Sequence, residues 1–267
     1  MKTSFREKKD SLSYAQLSLW YETLHRPGDD SYRLFARIRS RVPFSPAKLD
    51  LTMRTLAERH PQLLMRIDTD GPSVVQHYCD YPGIRICVEG EEWESEALRQ
   101  LSLEDGPLFR VTLFSGNESS DLLLTWHHLA GDAWSFGILL RDFNALYFEE
   151  RELPPLIRSY GDFIRFQEEW ISGPDGRRGA EYWKNELQNL VPLRGLGTVA
   201  DVRESLKTGV GTRRIPVSLP ARGEFTPFEF VLAAYCCLLS AYSRREDIPV
   251  LVPLHGRQQR GFYSVFG

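Results

Sequence analysis

Cysteine is scarce in this chain: Cys79, Cys87, Cys236 and Cys237 are its only four thiols. None forms a Cys-x-x-Cys pair, and no histidine stands near them at zinc-finger spacing, so neither a disulfide scaffold nor a zinc module is indicated and no metal site is expected. Free cysteines inside apolar runs behave as small hydrophobes, and four such core thiols fit a reducing, cytoplasmic setting. A charge excess is missing too. Lys plus Arg number 33 against 36 for Asp plus Glu, a net charge of −3. That balance carries no electrostatic footprint for nucleic acid or an anionic membrane, so neither is an expected partner. The N-terminal stretch Met1–Ser13 has no apolar signal segment. The longest apolar run, Phe230–Tyr242, falls short of the ~20 residues that cross a bilayer and reads as a buried helix. Internal repeats and low-complexity tracts are absent.

What is present is a steady alternation of helical and extended patterns. Ser13-Tyr14-Ala15-Gln16 is a capping box, in which the Ser13 hydroxyl and the Gln16 side chain satisfy reciprocal backbone N–H groups. It opens a helix to about Leu24, stopped by His25-Arg26-Pro27-Gly28. Tyr32–Ser40 alternates as a strand. Ser45-Pro46 places a cap and a first-turn proline before a helix that ends ahead of Pro61. Leu63–Asp68, Ser73–Cys79 and Ile84–Val88 read as short strands, Glu91–Leu101 as a helix, and Leu108–Phe114 and Asp121–Trp126 as strong strands. A long helix follows over Ala133–Glu149, its apolar stripe running through Phe136, Leu139, Leu140, Phe143 and Tyr147. Two more helices are expected near Tyr160–Ile171 and Arg177–Leu190. Beyond the weakly patterned segment 191–211, Thr212–Leu219 reads as a strand. Thr226-Pro227-Phe228-Glu229 caps an apolar helix to Tyr242, and Asp247–Leu254 reads as an edge strand.

The segment that carries chemistry is Trp126-His127-His128-Leu129-Ala130-Gly131-Asp132-Ala133-Trp134-Ser135. An apolar strand ends at Trp126 and a helix begins after Asp132, the kind of junction that presents polar groups to a cleft. An imidazole with its ordinary pKa of ~6.5 can accept a proton near neutrality. Adjacent histidines on extended backbone point opposite ways, so one of His127 and His128 faces a given pocket and the other is packed or hydrogen-bonded. Read alone, such a pair serves structure as readily as catalysis. Asp132 can cap the helix, orient a histidine or form an ion pair.

His127-His128-x-x-x-Asp132-Ala133-x-Ser135 resembles the His-His-x-x-x-Asp-Gly motif of the condensation domains of nonribosomal peptide synthetases, relatives of chloramphenicol acetyltransferase. Four further segments are similar to motifs of that family, in order. They are Ser13-x-Ala15-Gln16-x-x-Leu19-Trp20; Arg59-His60-x-x-Leu63; Tyr160-x-Asp162-Phe163-x-x-Phe166-Gln167 with Tyr182-Trp183; and Thr226-Pro227-Phe228 through Asp247-Ile248 to Gly256-Arg257. Departures are Ala133 in place of the motif's Gly, and Leu64 where an Arg is usual.

The resemblance implies an α/β (α+β) chloramphenicol acetyltransferase-like fold of two lobes. Residues 1–190 form a complete N-terminal lobe, 191–211 a linker and 212–267 a truncated C-terminal lobe. It implies amide formation between an acyl or peptidyl thioester and the amine of an aminoacyl thioester, both borne on phosphopantetheine arms of carrier proteins, with adjacent synthetase domains as further partners and no tightly bound cofactor. His128 is then the catalytic histidine, with His127 and Asp132 beside it. Backbone N–H groups of Gly131 and Ala133 help hold the oxyanion, and Asp132 pairs with Arg257. Phe136, where epimerisation domains carry Trp, and the intact His pair favour ordinary condensation. Two alternatives share the motif: a stand-alone acyltransferase using coenzyme A thioesters, and an inactive fragment that only docks carriers. A tunnel needs both walls, so the 267 residues alone are expected to turn over little.

Overall fold

A computed structural model describes residues 9–71, 73–87, 92–116, 119–190, 214–217, 225–257, 259 and 261–267. The chain divides into two compact units, Met1–Gly173 with His255–Gly267, and Pro174–Leu254. The first unit begins with a short strand β1 (Asp10–Ser11) and helix α1 (Tyr14–His25), where Ser13 and Gln16 make the expected capping box in both directions. Strand β2 (Arg33–Ser40) leads to α2 (Pro46–Arg59), capped by Ser45. A 3₁₀ turn, Pro61–Leu64, occupies the start of the segment expected as a strand, so β3 is shortened to Met65–Asp68. Pro61 lacks a ladder donor and suits the first position of such a turn. Strands β4 (Val75–Tyr78) and β5 (Arg85–Cys87) and helix α3 (Trp93–Leu98) follow. Then come β6 (Phe109–Ser115), β7 (Ser120–His127), α4 (Ala133–Tyr147) and α5 (Tyr160–Ser172).

The larger sheet runs β2-β7-β6-β5, antiparallel except for the parallel β5/β6 pair; β1-β4-β3 form a smaller antiparallel sheet. Register puts Leu34 opposite Trp126, Ala36 opposite Leu124 and Ile38 opposite Leu122. These alternate residues share a face, which packs on Leu49, Met53 and Leu56 of α2 and Leu139 and Phe143 of α4. Strand β7, at the centre, is therefore buried along almost its whole length, and the sheet delivers its last residue, His127, into the protein rather than to the surface.

The segment His255–Gly267, expected in the second lobe, packs into the first unit. Phe262 and Val265 are buried with Tyr160, Phe163 and Ile164 of α5, and Phe266 joins the cluster on the large sheet. In the second unit, α6 covers Pro174–Glu186 and α7 covers Pro227–Ser243, with the expected Thr226/Glu229 capping box. Helix α7 is not the buried helix that its composition indicates: Leu239 is its one buried residue, and Cys237 is exposed. Cys87 alone of the four thiols is fully buried. Residues 247–254 form no strand, since no described strand of that unit lies ready to pair with them and Pro249 and Pro253 lack donors. Residues 214–217 are likewise irregular, and the linker 191–211 lies outside the described residues.

Leu56, fully buried between α2 and the large sheet, is expected to cost about 2–5 kcal/mol of stability as Leu56→Ala. Chemical denaturation measures this; a loss under 1 kcal/mol would contradict the placement of α2.

Candidate active site

The turn between β7 and α4 carries every site residue of the central motif. Its backbone is tied at several points. His127 N–H donates to Leu108 O at 2.9 Å and His128 N–H to Tyr32 O at 2.8 Å. Ala130 N–H returns to His127 O at 2.9 Å, and the Trp126 indole N–H reaches Gly131 O at 3.1 Å. Leu129 and Ala130 are buried against Trp20, Met65 and Leu108. Two apolar side chains thus anchor the turn immediately after His128.

The histidines sit in unlike surroundings. His127 is 7% exposed, and its Nδ1 accepts the N–H of Leu129 at 3.2 Å. Burial first, and the nearby His128 second, push its pKa down to about 4. It is therefore neutral at pH 7, with the proton on Nε2, and lines a cavity of ≈ 190 Å³ shared with Asp29, Asp30, Arg33 and Gln100. His128 is half-buried, and among the described residues its imidazole has no hydrogen-bond partner.

Asp132 caps α4, accepting from Ser135 N–H at 2.8 Å and Ser135 Oγ–H at 2.6 Å. Arg257 donates to the same carboxylate through Nη1 at 2.9 Å and Nη2 at 3.2 Å, and Arg257 is itself held by Val265 O and Ser135 Oγ. Burial would raise the Asp132 pKa, but the bonds from Arg257 and Ser135 outweigh it and keep the carboxylate ionised. Among the described residues, the hydrogen bonds that the Asp132 carboxylate accepts come from Ser135 and Arg257.

Ala133 begins α4 with ordinary helical backbone, so the Ala in place of Gly imposes no strain. Its N–H, first in the helix, has no acceptor within the helix. Gly131 is needed for space: a Cβ there would stand 2.9 Å from Cζ of Phe266 and 3.0 Å from Ser135 Cβ.

His60 caps the C-terminal end of α2 and has a partner that no local sequence pattern announces. His60 Nε2 donates to Asp142 Oδ2 at 2.9 Å, and Arg59 Nε reaches the same oxygen at 3.0 Å. Burial would raise the Asp142 pKa; the bonds from His60 and Arg141 overcome it and pull it to about 2. The trace in the sequence is remote: an Asp on the apolar stripe of α4, between Leu139 and Phe143. Among the described residues no group of three or more His, Cys, Asp or Glu side chains is placed to hold a metal ion, and no helix is long and apolar enough to cross a membrane.

Comparison with known proteins converges on one family. The family model "Condensation domain" matches residues 6–267. The chain is 26% identical to malpinin synthetase of Mortierella alpina over 98% of its own length, and 28% identical to phosphinothricin tripeptide synthetase PhsC of Streptomyces viridochromogenes over 96%. It spans only 4% and 26% of those proteins. Among solved structures, a four-domain nonribosomal peptide synthetase bound to AMP and glycine superposes with a TM-score of 0.78 at 20% identity, over 97% of this chain and 21% of that one. The first condensation domain of the CDA synthetase does so at 0.56 and 19%, over 68% and 51%. These superpositions show the expected mixed α/β, acetyltransferase-like fold.

Two measurements test the site. Asp132→Asn and Arg257→Ala are each expected to cost about 2–4 kcal/mol, with the double variant losing far less than their sum; additive losses in a denaturation cycle would refute the pairing. Because the folded pKa of His127 lies below its reference value of 6.5, its contribution to stability is complete above pH 6.5 and declines as pH falls toward 4. The slope approaches about 1.4 kcal/mol per pH unit. Urea midpoints at pH 7 and 4.5 read this, and His127→Asn should flatten the dependence.

Proposed function

The chain belongs to the condensation-domain family of nonribosomal peptide synthetases, and on that premise we propose that it joins a carrier-bound acyl or peptidyl thioester to the amine of a carrier-bound aminoacyl thioester, with His128 as the proton acceptor. The observation that carries the assignment is the contrast between the two histidines. His127 is neutral, buried and has its Nδ1 occupied by Leu129 N–H, whereas His128 has no partner of its own among the described residues. The acceptor nitrogen attacks the thioester carbonyl and forms the C–N bond. His128 takes the proton that nitrogen sheds, the tetrahedral centre collapses, the C–S bond breaks, and the departing sulfur receives the proton.

The remaining residues hold this arrangement. The unpaired first-turn N–H of Ala133, with the N–H of Gly131, supplies dipoles for the oxyanion. Asp132 and Arg257 position the turn and touch no reacting atom. The phosphopantetheine arms arrive with the substrates, so the reaction needs no resident cofactor. Carrier proteins and neighbouring synthetase domains are the partners, and the setting is cytoplasmic. A base contributes roughly 10²–10⁴-fold, and alignment of two tethered substrates supplies much of the remainder.

The test uses this protein with loaded acyl and aminoacyl carriers. His128→Ala is expected to lower amide formation by about 10²–10⁴-fold, while denaturation midpoints stay within a few degrees. Undiminished turnover would remove His128 from the chemistry, and equal rates from free acyl coenzyme A would favour the carrier-independent alternative.

A further inference from the structure

Gln16 is 3% exposed and makes contacts in two directions. Its Oε1 accepts the Ser13 N–H at 2.9 Å, completing the capping box of α1. Its Nε2 donates to Leu129 O at 2.9 Å, with Gln76 Oε1 at 3.5 Å. Helix capping alone needs only the acceptor, which a Glu would supply equally well. The donor half of the amide serves the turn that bears His128.

The amide cannot be turned over. Reversed, it would set an oxygen against the Leu129 carbonyl and an NH₂ against the Ser13 N–H. Gln76, wholly buried, is fixed in turn by Gln62 Nε2 at 3.0 Å and by its own bond to Ser11 O at 2.8 Å. Leu129 is thereby gripped at both ends, its N–H by His127 Nδ1 and its C=O by Gln16. With the His128 N–H on Tyr32 O at 2.8 Å, the backbone on either side of His128 is pinned. Its imidazole lacks a partner among the described residues, so the backbone sets where the ring stands.

We propose that Gln16 is a positioning residue for the condensation step, holding His128 in register through the Leu129 carbonyl. The proposal rests on the reading of His128 as the base. The variant is Gln16→Met, which keeps the side-chain length and removes the hydrogen bonds to Ser13, Leu129 and Gln76. The control is Ser13→Ala, which weakens the helix cap and leaves the Leu129 bond in place.

Gln16→Met is expected to lower kcat about 10- to 100-fold with the acceptor KM within about twofold, and to displace the pH profile of kcat. Ser13→Ala should lower the denaturation midpoint while kcat stays within about twofold. Exchange of the Leu129 amide should quicken in Gln16→Met and not in Ser13→Ala. An unchanged kcat and pH profile for Gln16→Met, or equal losses of kcat in both variants, overturns the proposal. Full turnover by His128→Ala defeats the base assignment instead, and unaltered Leu129 exchange in Gln16→Met defeats the grip on the turn independently of it.

Discussion

The Asp132 carboxylate is the point on which the site depends. It ends an extended turn and starts α4 by accepting from Ser135 N–H, and it draws in the guanidinium of Arg257 from the far end of the chain. Arg257 is 3% exposed, so an unpaired charge there would be costly. The ion pair therefore holds the segment His255–Gly267 against the first unit. That segment carries Phe266, whose ring lies so close to Gly131 that no Cβ fits between them. Helix start, turn and closing segment form one cooperative structure.

Within that frame, burial divides the labour between two chemically identical side chains. The central strand β7 carries His127 into the interior, where desolvation disfavours its cation and the Leu129 N–H fixes its tautomer. His128, one residue beyond the ladder, is half-buried and has no hydrogen-bond partner among the described residues. On the proposed reading, a difference of one residue across a strand end separates a structural imidazole from the one that accepts the proton.

Buried amides and charges supply the rest of the rigidity. Gln16, Gln76 and Gln62 link α1, β4 and the 3₁₀ turn behind the active-site turn. Arg59 and His60 converge on Asp142 and lock α2 to α4. Such networks hold one arrangement in place because each unsatisfied member would be expensive in a low-dielectric interior. Gln16, in the segment around Ser13, bonds the backbone of the segment around His127, while Arg59 and His60 bond the helix that follows it.

Local patterns were legible from the amino acids alone. The capping boxes at Ser13 and Thr226, the Ser45-Pro46 start, the alternation of β2 and the strand–turn–helix around the His pair all depend on neighbours within a few residues, and periodicity and capping chemistry reveal them. Tertiary structure decided everything that depends on distant neighbours. It exposed α7 and Cys237, left residues 247–254 without a strand partner, and assigned His255–Gly267 to the first unit. It also buried His127, which lowers its pKa, and gave Asp142 its partners. Burial, strand pairing and electrostatic environment are properties of what surrounds a residue in space, and linear order does not contain them.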